Sequence, residues 1–194
     1  MKLVFATQNK HKQEEAEHVL VNFAEVISLH DLNFFEELPE THNTLEENAA
    51  EKAAYIFDCF HTNCFAEDTG LEIEALNGGP GVFSARYAGE RKDASDNIRL
   101  VLEKMIDAEN RAAKFRTVIC LILEERKFFF EGVMKGKISD KASGEFGFGY
   151  DPIFIPEGFE QTFAEMNFAA KNKISHRKKA LEKMKMFLKE ELKR

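Results

Sequence analysis

Segments of two different periodicities alternate along this chain, and that alternation restricts its fold more than any other feature. Residues 2–6 form a short apolar run that reads as a buried strand. Residues 7–11 are polar and turn the chain, and a helix follows with Ala16, Val19, Leu20 and Phe23 at helical spacing. Glu14, Glu15 and Glu17 fall outside that stripe. Residues 26–29 read as a second strand. Residues 44–60 give the clearest helix, with Leu45, Ala49, Ala53, Ile56, Phe57 and Phe60 on one face and a Thr44/Glu47 capping-box pattern at its start. Residues 64–66 and 71–76 read as strands around a turn at Asp68-Thr69-Gly70, and Gly78 to Gly81 as a loop. A helix over 94–106 precedes two long β-rich runs, 115–123 and 128–138, with 124–127 as the turn of an antiparallel hairpin. A glycine- and aromatic-rich loop over 144–156 holds a short strand at 153–155. The last helix spans about 176–192, with Leu181, Met184, Leu188 and Leu192 on its stripe. Strands alternating with helices, plus a hairpin, predict an α/β fold with a mixed sheet.

At 194 residues the chain suits one compact domain or two closely joined lobes. Its 44% hydrophobic and 31% charged residues are those of a soluble globular protein, and no apolar stretch nears the ~20 residues of a membrane helix. The first residues are too short an apolar run for a signal peptide. Cys59, Cys64 and Cys120 lack metal-ligand spacing and read as buried, reduced thiols of a cytosolic protein. With 27 Lys plus Arg against 34 Asp plus Glu, the net charge is −7, which disfavours nucleic-acid binding. A phosphorylated ligand would need cations gathered locally, or a metal.

Four constellations could gather them. Thr7-Gln8-Asn9-Lys10-His11-Lys12 precedes a helix, where free backbone N–H groups and the positive dipole end favour phosphate. The same residues also suit an ordinary helix cap. An acidic set of Glu40, Glu47, Glu67 and Asp68 offers oxygens to a hard cation such as Mg²⁺. Asp68 could bind metal or take a proton from water. Glu47 reads equally well as the cap on Thr44, and Glu67 could point to the other side of its strand. The loop Gly147-Phe148-Gly149-Tyr150-Asp151 lets a planar ring approach, with Phe148 or Tyr150 stacking and Asp151 accepting from a ring N–H, or else packs its aromatics into a core. Lys171-Asn172-Lys173-Ile174-Ser175-His176-Arg177 places cations in a first helical turn, against the dipole, either for a ligand or as a solvated basic face. Arg177 could fork onto a purine O6 and N7.

Taken in order, these segments resemble the inosine triphosphate pyrophosphatase family of non-standard purine NTP pyrophosphatases. The likeness covers essentially the whole chain: FATQNKHK at 5–12, Glu47-Asn48-Ala49 with Lys52-Ala53, AEDTGL at 66–71, GPGVFSARY at 79–87, GFGYDPIF at 147–154 and KNKISHR at 171–177. The resemblance implies an elongated two-lobed α/β structure, residues 1–194 as a single domain, with substrate in a cleft between the lobes. It implies a cytoplasmic, Mg²⁺-dependent homodimer that converts ITP, dITP and XTP to monophosphate and pyrophosphate, with no nucleic-acid or membrane partner. Thr7 to Lys12 then match the triphosphate segment, Lys12 and Lys52 the phosphate-steadying lysines, Asp68 the general base, and Glu40 with Asp68 the metal site. Thr69 would touch substrate, and Phe148, Gly149, Tyr150, Asp151, Lys171, His176 and Arg177 match the base-recognition set. Asn43-Thr44-Leu45 departs from the family's usual small-Thr-Phe, which leaves Glu47 as the competitor of Glu40. The rivals are a related pyrophosphatase acting on modified pyrimidines or ordinary dNTPs, a nucleotide-binding module without turnover, and an RNA-binding protein using the basic tail from Lys171. Glutamates 182, 190 and 191 interrupt that tail, which argues against the last.

Overall fold

The computed structural model describes residues 1–191; Leu192 lies outside the described residues. The elements run β1 (Lys2–Phe5), α1 (Lys10–Leu20), β2 (Glu25–Ile27), α2 (Leu45–Phe60), β3 (Cys64–Ile73), β4 (Pro80–Gly81), α3 (Ala94–Lys104), β5 (Ala112–Leu123), β6 (Arg126–Ile138), β7 (Phe154–Pro156), α4 (Phe168–Ile174) and α5 (His176–Glu191). The sheet order is β2-β1-β3-β5-β6-β7, with β4 on β3. β1 pairs parallel with β2 and β3, while β4 and β7 pair antiparallel with β3 and β6. The sheet is therefore mixed, as the alternation of periods required. Helices α1 and α2 supply the long crossovers that parallel neighbours need.

The contacts divide the chain into two compact units: Met1–Asp68 with Thr117–Gly132 and the segment from Arg177, and Thr69–Arg116 with Val133–His176. In the first unit the sheet is buried on both faces, which explains the continuous apolar run of β1. Leu3 and Phe5 pack with Ala16, Val19 and Leu20 of α1 and Leu181, Met184 and Leu188 of α5. Val4 and Ala6 face the other way, onto Ala49, Ala53 and Ile56 of α2. Phe5 stacks on Phe65 of β3 with ring centroids 4.3 Å apart. In the second unit Leu71, Ile73, Phe115, Phe154 and Phe163 pack with Val101 and Met105 of the α3 region. Phe thus carries much of both cores.

Several elements differ from the sequence reading. Residues 64–73 form one continuous strand instead of two flanking a turn at Asp68-Thr69-Gly70. Gly70 marks a close backbone approach: a Cβ there would lie 2.6 Å from the Gly81 carbonyl oxygen of β4. Pro80–Gly81, read as loop, pairs antiparallel with Leu71 and Glu72. Residues 74–76 form a tight 3₁₀ turn, not a strand end. Helix α4 has no counterpart in the sequence periodicity; Asn167 caps it by accepting from the Ala170 N–H. The β5–β6 connection is only Glu124 and Glu125, both at positive φ (49° and 64°), and two residues can join only antiparallel neighbours. Cys64 and Cys120 are buried as expected, but Cys59 is exposed. Burial pushes the Cys64 thiol up to about 12 and Cys120 to about 11, so both stay protonated. Among the described residues no helix is long and apolar enough to cross a membrane.

Candidate active site

Strand alternation builds the first cluster. Successive residues of β3 point to opposite faces. Phe65 joins the α1/α5 core, whereas Cys64 and Ala66 join the α2 core. Continuing that register sends Glu67 toward α1 and α5 and Asp68 toward α2, and their partners follow it.

Glu67 is buried at 1% exposure. Arg177 Nε donates to both of its oxygens at 2.8 Å, and Lys12 Nζ lies 3.2 Å from Oε1. Arg177, also 1% exposed, donates from Nη1 to Glu15 Oε2 at 2.6 Å. At least two of the three guanidinium nitrogens expected to face a purine edge, Nε and Nη1, are therefore committed to carboxylates. Burial alone would raise the Glu67 pKa, but the charges of Arg177 and Lys12 hold it at about 2. Burial opposes the Arg177 charge, and Glu67 and Glu15 more than offset that, so its pKa is raised.

The depressed Glu67 pKa ties stability to pH. Its contribution is complete above the ordinary carboxylate value near 4.5 and is lost as pH falls toward about 2. Thermal melts between pH 6 and 2.5 should therefore show a decline below pH ~4.5 that Glu67→Gln flattens. An identical acid decline in that variant would remove Glu67 from the account.

Asp68 meets a different set. Asn48 Nδ2 donates to its Oδ2 at 3.2 Å, and Lys52 Nζ lies 3.7 Å from its Oδ1. Lys52 also donates to Glu40 Oε1 at 2.5 Å. Burial raises the Asp68 pKa, assisted by Glu40 and opposed by Lys52, Lys12 and the Asn48 hydrogen bond. Burial would lower that of Lys52, but Asp68 and Glu40 raise it. Glu40 thus sits with Lys52, which in turn approaches Asp68, whereas Glu47 accepts from the Thr44 hydroxyl at 2.7 Å as a cap. Among the described residues no group of three or more His, Cys, Asp or Glu side chains is arranged to hold a metal. Glu40 and Asp68 are two hard-oxygen donors, which is the number Mg²⁺ commonly takes beside water and phosphate.

Residues 7–12 realise the helix cap. Asn9 Oδ1 accepts from the His11 and Lys12 N–H groups, and Thr7 Oγ1 accepts from the Asn9 N–H. Gln8 donates to the Glu36 carbonyl at 2.8 Å. Thr7, Gln8 and Lys10 line a cavity of about 620 Å³ with His30, Phe34 and Phe35. His11 is exposed, beside Glu14.

The second unit holds a cluster of its own. Asp151 Oδ2 accepts from the Phe148 N–H at 2.8 Å and from Lys171 Nζ at 2.7 Å. The same ammonium lies 4.6 Å from the Phe148 ring centroid. Gly147, at φ +75°, permits this loop, because a Cβ would run into the Asp151 carboxylate. Tyr150 is buried and donates its hydroxyl to the Ser84 carbonyl at 2.9 Å, which anchors the loop. Gly149 is half-buried at φ +59°. His176 is buried and stacks on Phe115, with centroids 4.6 Å apart. Thr69 is half-buried in β3, directly after Asp68.

Sequence reasoning missed Glu15 and Asn48. Glu15 falls outside the apolar stripe of α1, yet it is 3% exposed. The available signal was its spacing: it stands three residues after Lys12 and four before Val19, on one helical face. Asn48 stands four residues before Lys52 on α2, and that spacing pointed to it.

The chain matches the Ham1 family over residues 3–187. It belongs to the Ham1 family. It is similar to a dITP/XTP pyrophosphatase of Flavobacterium johnsoniae, at 50% identity over 184 residues covering 95% of this chain and 96% of the relative. A dITP/XTP pyrophosphatase of Porphyromonas gingivalis is 48% identical over 188 residues, covering 96% and 97%. Among solved structures, a HAM1 protein from Coxiella burnetii matches with a TM-score of 0.90 at 37% identity, covering 98% of this chain and 99% of that one. The Staphylococcus aureus Ham1 protein matches with a TM-score of 0.89 at 36% identity, covering 98% and 100%. The family resemblance read from the motifs is met by these relatives.

Proposed function

We propose that this Ham1-family protein hydrolyses non-canonical purine nucleoside triphosphates, ITP, dITP and XTP, to the monophosphate and pyrophosphate. The observation that carries the reading is Asp68: a buried carboxylate with a raised pKa, flanked by Lys52 and followed one strand face away by the Lys12–Glu67–Arg177 cluster. In the reaction a water oxygen bonds to the α-phosphorus, the bond from that phosphorus to the bridging oxygen breaks, and pyrophosphate leaves. Asp68 activates or orients the water, directly or through the metal. Lys12 and Lys52 neutralise charge on the leaving pyrophosphate, the dominant requirement in phosphoryl chemistry. Residues Thr7 to His11 bind the triphosphate from the start of α1.

The reading includes Mg²⁺, held by Glu40 and Asp68. Counted together, Glu15, Glu40, Glu67 and Asp68 outnumber Lys12, Lys52 and Arg177, so a triphosphate needs a further cation to be neutralised. When bound, Mg²⁺ supplies that charge and lowers the pKa of a coordinated water.

Phe148, Gly149, Tyr150, Asp151, Lys171 and His176 form the base-recognition set. With its Nε and Nη1 on carboxylates, Arg177 serves as the pin that positions Glu67 and, through it, Lys12. Hypoxanthine and xanthine present a 6-oxo acceptor where adenine presents a 6-amino donor. A donor left facing a donor costs about 1–3 kcal/mol. A homodimer and a cytoplasmic location complete the reading. The test is pyrophosphate release from ITP, XTP and ATP, with and without Mg²⁺. ITP and XTP should be turned over far faster than ATP, and only with the cation; comparable kcat/KM for ATP and ITP would end the proposal.

A further inference from the structure

Three successive loop residues, Glu40, Thr41 and His42, are each tied to α2. Glu40 accepts from Lys52 Nζ at 2.5 Å, and Thr41 donates its N–H and its hydroxyl to Glu51 at 2.9 and 2.7 Å. The His42 N–H donates to Asn48 Oδ1 at 2.9 Å. Positions 48, 51 and 52 share one face of the helix. Asn48 also reaches β3: its Nδ2 donates to Asp68 Oδ2 at 3.2 Å, and the residue is 1% exposed. One amide therefore meets a donor on one side and a carboxylate on the other, and a single orientation of the group satisfies both. Aspartate at 48 would set another negative charge beside Asp68. Leucine would withdraw a donor from a buried carboxylate and an acceptor from the loop.

We infer that Asn48 is a positioning residue that locks the Asp68 carboxylate and the loop carrying Glu40 into one arrangement; the inference rests on the function proposed above. The terminal torsion of an aspartate is broad, so the backbone of β3 alone does not orient this carboxylate. A hydrogen bond to Oδ2 restrains that torsion and keeps Oδ1 on the Lys52 side, at 3.7 Å. Glu40 stands outside any helix or strand, so its place depends on the ties of its loop. The Thr41–Glu51 ties are exposed, whereas the Asn48–Asp68 bond is buried. A bond shielded from water holds its geometry more firmly than one that competes with it. Asn48 acts through Asp68, and a shift of about 1 Å in such a group can cost ~10²-fold in rate.

The experiment is a double-mutant cycle on ITP turnover in the full chain with Mg²⁺, read beside amide hydrogen exchange at His42. Wild-type enzyme must first release pyrophosphate from ITP; if it does not, the proposed function fails and not this assignment alone. Asn48→Ala should lower kcat about ten- to a hundredfold while KM stays within about threefold. In an Asp68→Asn background the same change should cost less than about twofold, because the group it positions is gone. Hydrogen exchange at the His42 N–H should quicken roughly tenfold in Asn48→Ala. Asn48→Asp separates the two ends of the amide and serves also if the alanine variant does not fold. It keeps an acceptor for the His42 N–H, so exchange there should stay slow while kcat still falls. Near-normal kcat in either folded variant, an equal loss with and without the Asp68 carboxylate, or unchanged His42 exchange in Asn48→Ala overturns the assignment.

Discussion

Asp68→Asn should reduce kcat for ITP by roughly 10²–10⁴-fold, the span a positioned proton acceptor contributes. The exchange keeps size and leaves a carbonyl oxygen for the Asn48 amide, whose bond to Asp68 is 3.2 Å. It also removes a carboxylate that burial disfavours in its charged form. Lys52 retains Glu40. The fold should therefore persist, with a melting temperature at or above that of the wild type. Pyrophosphate release read beside a thermal melt separates the two effects. A folded Asp68→Asn enzyme turning over at near-normal rate would remove Asp68 from the mechanism.

The largest loss of stability should come from Arg177→Ala. Arg177 is the shared partner of Glu67 and Glu15, and all three side chains are at most 4% exposed. Removing one member of a buried charge group leaves the others uncompensated and costs about 3–5 kcal/mol. For a chain of this size that lowers the melting temperature by on the order of 10 °C. Adding Glu67→Gln to Arg177→Ala should restore part of the loss, because the stranded charge is then gone. A melt that stays at the wild-type temperature in the single variant would show that the cluster is hydrated and its charges screened.

Much of this was legible in the sequence, for reasons that also explain what was not. The buried runs of β1 and the stripe of α2 follow from side-chain periodicity, which is local information. Thr44 and Glu47 announced the α2 cap for the same reason. The continuity of β3 was hidden because Asp-Thr-Gly is turn chemistry, and only the approach of Gly81 reveals why a glycine stands at position 70. The pairing of Arg177 with Glu15 joins residues 162 positions apart. Nothing local distinguishes such an arginine from one aimed at a ligand. The same holds for Tyr150, whose hydroxyl is taken by Ser84 66 positions away. Motif order named the residues of the candidate site, but only the fold sorts those that are pinned by partners of fixed charge from those left to titrate.

That sorting has a practical side. Because neighbouring residues of β3 look in opposite directions, two adjacent acids draw their direct partners from different helices, although the Lys12 charge is felt by both. One is clamped by an arginine and stays ionised across the physiological range. The other takes its proton affinity first from burial, then from Lys52, Lys12, Glu40 and the Asn48 amide. Substitution on the α2 side would therefore act first on the reactive acid, while its neighbour keeps the arginine that holds it ionised.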